Sequence, residues 1–190
     1  FRREENHLNG KFTFLTVSRM LNVKGLIEFC KAGEIIKSKY PNTRFIHLGE
    51  EDNSYRGVKQ DFIKKYKEEG IVEFKGRIKN VKEYIQECNV VVLPSYLREG
   101  IPRTLQEALA VGRPIITTNT RGCKETVIEE ENGYLIPPKD VNELVIAMEK
   151  MLQKSEDEIK AMSQKSYELA LEKFDINIIN DKMVKIIEGE

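Results

Sequence analysis

The stretch that most restricts the fold is "NVVVLPS" at 89–95. Its β-branched residues run without polar alternation, so a strand here must be buried on both faces. Parallel sheets covered by helices on both sides meet that demand. The flanking segments repeat the theme. "KFTFLTV" (11–17), "TRFIHLG" (43–49), "IVEFKG" (71–76) and "RPIITTN" (113–119) read as further strands. Between them "GLIEFCKAGEIIKSKY" (25–40), "SYRGVKQDFIKKYKEEG" (54–70), "VKEYIQEC" (81–88) and "IPRTLQEALAVG" (101–112) read as helices. The alternation predicts an α/β fold, a Rossmann-like parallel sheet with helices on both faces. After "NGYLIPP" (132–138) the chain turns helical, with Asp140, Ser155 and Asp175 predicted to cap helices over 141–153, 156–173 and 176–188.

Composition removes several functions. The 31 basic residues balance 31 acidic ones, which argues against a nucleic-acid binder that works by bulk electrostatics. Any anion must be held by a local site. The cysteines Cys30, Cys88 and Cys123 lie far apart, and the histidines are only His7 and His47. The cysteines suggest neither a zinc site nor a disulfide framework and fit a reducing cytosol, and the histidines are too few for a histidine-rich metal site. No run approaches the ~20 apolar residues of a membrane span. No G-x-G-x-x-G follows a strand, which argues against a nicotinamide dehydrogenase.

Open sheets of this kind bind ligands where their strands end, so the loops at 18–25, 49–54, 76–80, 94–101 and 118–123 are the ones to inspect. In "LREGIPRTLQEALAVGRP" (97–114) Pro102 is predicted in the first turn of a helix. Leu105 and Leu109 form its core stripe, with Ile101 behind them. Glu107 lies on the opposite face with Gly100, Arg103 and Thr104. The helix start offers unpaired N–H groups to a phosphate, Gly100 admits a ligand close to the backbone, and Glu107 can accept hydrogen bonds from two ribose hydroxyls. Glu99, before the helix, reaches toward a sugar. A solvated helix face would also carry these residues. In "SRMLNVKG" (18–25) Arg19 and Lys24 suit a diphosphate clamp, or form an exposed pair. In "FKGRIKN" (74–80) Arg77 and Ile78 line a slot for a base, or Ile78 tucks into the core. "NTRGCKETV" (119–127) is a loop able to close over the site. A carboxylate for ribose, cations for phosphates and an apolar slot for a base together describe a nucleotide-diphosphate site.

"VSRMLNVKG", "FKGRI", "VVVLPSYLREGIPRTLQEALAVGRPIITT" and "ENGYLIPP" stand in the order seen in the second half of retaining glycosyltransferases of family four, which this chain resembles over about 12–140 and the helical tail. The resemblance implies the C-terminal half of a GT-B fold, two Rossmann-like domains facing across a cleft. Residues 1–10 then read as the remnant of an interdomain linker, 11–173 as the nucleotide-sugar-binding domain, and 174–190 as a helix crossing back to an N-terminal domain missing from this chain. "REGIPR" is similar to bacterial transferases of surface polysaccharides and lipid-linked oligosaccharides.

Carried onto these positions, the resemblance gives Arg19 and Lys24 to the donor diphosphate and Glu107 to the ribose. It gives Glu99 to the transferred sugar and Ile78, beside Arg77, to the base. Gly100, Ile101, Arg103, Thr104 and Leu105 lie along sugar and phosphates. Arg98-Glu99-Gly100 departs from the aromatic residue usual before this glycine, and Arg103 is uncommon at its position. The implied reaction is sugar transfer from a UDP-sugar to a glycan or polyprenyl-linked acceptor with retention, without metal or cofactor, at the cytosolic membrane face. A nucleotide-sugar epimerase, a sugar phosphorylase and a non-catalytic nucleotide-binding module are the competing readings.

Overall fold

The computed structural model describes residues 10–97 and 100–174. Six strands form one parallel sheet: β1 Phe12–Val17, β2 Thr43–Leu48, β3 Glu73–Phe74, β4 Val90–Leu93, β5 Ile115–Thr118 and β6 Gly133–Ile136, in the order β3-β2-β1-β4-β5-β6. All four residues of β4 are buried, as its unbroken apolar run requires. The helices are α1 Leu26–Lys39, α2 Gln60–Glu68, α3 Val81–Glu87, α4 Arg103–Ala110, α5 Val141–Gln153 and α6 Glu156–Phe174.

Alternate strand residues feed two cores. On one face Phe14 and Phe45 stack at 5.1 Å, and Phe29 of α1, Tyr66 of α2 and Met148 of α5 close over them. On the other face Leu15, Val91 and Ile115 meet Ile85 of α3 and Leu105 and Leu109 of α4. Helix α6 bridges the two layers, giving Ile159 and Met162 to the first and Leu169 and Ala170 to the second. Its start is a reciprocal cap. Ser155 Oγ accepts from Glu158 N at 3.3 Å, and Glu158 Oε2 accepts from Ser155 N at 2.8 Å. Asp140 caps α5 by accepting from Glu143 N at 3.0 Å.

Three expectations need correction. The helix expected from 54 begins only at Gln60. Residues 52–57 instead make a turn in which Ser54 N donates to Asp52 Oδ1 and Gly57 N donates to Ser54 O. A side chain at Gly57 would stand 1.7 Å from Asp52 O, so this glycine permits the close approach. Pro102 is the N-cap residue of α4 with extended ψ of 127°, not its first turn. Residues 133–136, absent from the expected strands, form edge strand β6 against β5. The helix expected at 176–188 lies outside the described residues.

Candidate functional site

The chain moves from β1 out to β3 on one side and from β4 to β6 on the other, so the connections leave the carboxyl ends of β1 and β4 in opposite directions. In open sheets of this kind such a switch point is where ligands bind. Backbone bonds stitch its loops together. After β1 the chain forms a 3₁₀ turn at Asn22–Lys24, and Val23 O accepts from Tyr96 N at 2.9 Å and from Ser95 Oγ at 3.2 Å, both beyond β4. Gly25 has φ of +77°, and a Cβ there would lie 2.2 Å from Pro94 O. Only glycine allows both the left-handed turn and this contact. The loops after β2 and β3 join the same rim, because Met20 N donates to Glu50 O at 2.9 Å and Gly49 N donates to Gly76 O at 2.8 Å.

Arg19 is exposed and pairs with Asp52 across 3.4 Å. Hydrogen bonds from the Ser54 hydroxyl and amide, then the Arg19 charge, hold the Asp52 carboxyl below its ordinary value. Lys24 ends the 3₁₀ turn and is half-buried. Thr104 Oγ1 donates to Val17 O at 3.2 Å, so the start of α4 is tied to the end of β1. One turn on, on the same face, Glu107 is half-buried and accepts from Arg103 Nε at 3.0 Å. Among the described residues no side chain caps α4. Leu105 N and Gln106 N donate to Pro102 O, which leaves the amides of Arg103 and Thr104 as the first-turn donors.

Arg77 is exposed and pairs with Glu50 at 3.0 Å. Ile78 is half-buried against the second core beside Val17 and Val81. Gly100 is exposed, with nothing within 4 Å of where a Cβ would stand, and Ile101 is half-buried beside it. Leu105 is fully buried and its amide is engaged by Pro102, so the structure does not bring it to the switch point. Glu99 lies outside the described residues. The start of α4 is thus tied to the end of β1, beyond which Arg19 and Lys24 follow in the chain, and Glu107 stands one turn behind Thr104.

A cavity of about 1000 Å³ adjoins this rim at the ends of β4, β5 and β6, lined by Tyr96, Gly100, Asn119, Thr120, Arg121, Pro138 and Lys139. The loop at 119–127 was marked by its place after a strand. Tyr96 falls in the marked loop at 94–101, whereas Pro138 and Lys139 were not marked, because nothing local distinguishes them; their meeting with it depends on β6 entering the sheet. Among the described residues no group of three or more His, Cys, Asp and Glu side chains could hold a metal ion. No helix among them is long and apolar enough to cross a membrane.

The family model for glycosyl transferases group 1 matches residues 1–169. A curated relative from Campylobacter jejuni, N,N'-diacetylbacillosaminyl-diphospho-undecaprenol alpha-1,3-N-acetylgalactosaminyltransferase, is 25% identical over 182 residues, which are 96% of this chain and 46% of the relative. The fold is similar to that of Anabaena HepE crystallised with UDP, at a TM-score of 0.82 and 21% identity, covering 95% of this chain and 50% of HepE. It is also similar to the C-terminal domain of the group 1 glycosyl transferase LpcC from Francisella tularensis, at a TM-score of 0.76 and 24% identity, covering 89% of each chain. The chain spans about half the length of the curated relatives it matches.

Proposed function

The chain belongs to the glycosyl transferases group 1, and from that premise we propose that it is the donor-binding half of a retaining transferase. In this reading it holds a UDP-hexose or UDP-N-acetylhexosamine for transfer to a glycan or polyprenyl-linked acceptor in bacterial polysaccharide assembly. The observation that carries the reading is the tie between the end of β1 and the start of α4, which no side chain caps among the described residues. The relatives named for polysaccharide synthesis, among them colanic acid and capsular transferases, and the HepE structures with UDP and UDP-glucose support the donor and the process.

The bond that breaks joins the sugar's anomeric carbon to a phosphate oxygen, and negative charge grows on the diphosphate. Arg19, Lys24 and the Arg103 and Thr104 amides surround the place where that charge develops. Each preorganised donor of this kind contributes up to about 3–4 kcal/mol. Arg19 turns from Asp52 to the phosphate or is shared between them. Arg103 engages Glu107 Oε1, and the second carboxylate oxygen accepts the ribose hydroxyls. The cations do the work of a metal ion, so chelator leaves binding unchanged. The acceptor hydroxyl attacks from the face the diphosphate leaves and passes its proton to an oxygen of the departing diphosphate, which retains configuration without an enzyme nucleophile. Glu99 orients the sugar.

Titration calorimetry with UDP tests the assignment. Lys24→Ala and Glu107→Ala should each weaken binding by roughly 10- to 100-fold, the worth of a hydrogen bond to a charged group. Equal affinity in all three proteins sinks it.

A further inference from the structure

We infer that the cavity at the ends of β4, β5 and β6 is a second anion subsite, which takes the phosphate of a phosphate-bearing acceptor rather than the donor's diphosphate. Its name as an acceptor site rests on the donor-binding reading above; the subsite itself stands on charge and geometry.

The argument begins with how this chain handles its cations. Charge is balanced overall, and around the switch point the exposed arginines are neutralised locally: Arg19 by Asp52, Arg77 by Glu50 and Arg103 by Glu107. The two cations of the cavity differ. Among the described residues Arg121 has neither an ion pair nor a hydrogen bond from its guanidinium. Lys139 holds its Nζ over the Tyr96 ring at 4.8 Å from the centroid, and a ring restrains a cation without neutralising it. No carboxylate is among the described residues that line the cavity. Glu28 acts on Tyr96, whose hydroxyl is pushed up first by burial and then by that charge, but Glu28 is not a lining residue.

Backbone conformation adds an independent observation. Lys139 has φ of +63°, which side-chain-bearing residues seldom adopt. The turn that holds it is set on both sides, by Ile136 O accepting from Asn119 N at 2.9 Å and by Asp140 capping α5. The turn so fixed places Lys139 in the cavity lining. Thr120 is fixed beside it, 2.8 Å from Thr118 Oγ1, and Asn119 adds an amide donor. Two unneutralised cations flanked by neutral donors, with Tyr96 and Pro138 as apolar wall, suit a phosphate ester carried on a less polar body. Gly100 lines this cavity and also leads into α4, which puts the second anion next to the donor rather than on top of it.

The test uses the 190-residue chain saturated with UDP, titrated with inorganic pyrophosphate in one arm and geranyl diphosphate in the other. Arg121→Ala and Lys139→Gly are the variants; glycine tolerates the positive φ, so the second removes charge without adding strain. Both probes should bind alongside UDP, and each variant should weaken them by about tenfold while moving UDP affinity by less than about twofold. Equal binding of both probes supports a phosphate subsite alone, and tighter geranyl diphosphate supports a lipid-linked source. Competition between probe and UDP, or variants that bind like wild type, overturns the inference. If UDP itself fails to bind, the donor reading falls, while pyrophosphate binding that still depends on Arg121 and Lys139 upholds the subsite.

Discussion

Acidifying the protein from about pH 7.5 to about pH 5.0 is expected to cost about 2 kcal/mol of stability through His47 alone. His47 sits on β2 opposite Thr16 of β1, is 0% exposed, and packs 5.6 Å from the Phe74 ring. Neither ring nitrogen makes a hydrogen bond of good geometry among the described residues, and the nearby Ser18 backbone gives the charged ring only weak support. Burial pushes its pKa from 6.5 to about 4, offset only in part by the Ser18 backbone. Between those values the unfolded chain binds a proton that the folded chain refuses, so unfolding free energy falls as pH falls. The full displacement corresponds to about 3 kcal/mol, reached near pH 4. Urea unfolding followed by circular dichroism at several pH values measures the slope, and His47→Leu should flatten it between about pH 6.5 and 5. Glu73 does not confuse this window. Arg44, then Lys75, holds its carboxyl down to about 2, so its contribution is present above about pH 4.5 and is lost only below that. A His47→Leu protein with the wild-type slope would refute the reasoning.

Gly25→Ala forces a left-handed alanine against Pro94 O at 2.2 Å; it should destabilise the fold by about 2 kcal/mol or more and abolish UDP binding, read by urea unfolding and calorimetry. Thr104→Val removes the tie to Val17 O and should cost about 1 kcal/mol while weakening UDP, because the start of α4 is no longer pinned to β1. Cys30, Cys88 and Cys123 are all buried, and burial pushes the Cys88 thiol up to about 12 and Cys30 higher still; a thiol reagent should find none of the three in native protein and all of them in urea. A rapid native reaction would show local opening, of the first core if Cys30 reacts and of the second if Cys88 or Cys123 does.

The sheet was legible because its signal is local. An unbroken run such as Val90–Leu93 can only be satisfied between two helical layers, and Asp140 and Ser155 announce their helices through their own side chains. The same locality made Arg19, Lys24 and Glu107 readable as candidates, since each stands just past a strand or on the polar face of a short helix. What no window of residues contains is the pairing between distant loops. The start of α2 was displaced by contacts between Asp52 and Gly57 and by a bridge from Gly57 to Leu21. The short run at 133–136 became a strand only because β5 had a free edge to pair with. That pairing carried Lys139 to Tyr96 and Arg121 and made a cavity. Apolar periodicity is set by neighbours along the chain, so sequence alone determined the layers. Whether a cation is neutralised depends on which carboxylate the fold brings within reach, and only the tertiary structure decided that.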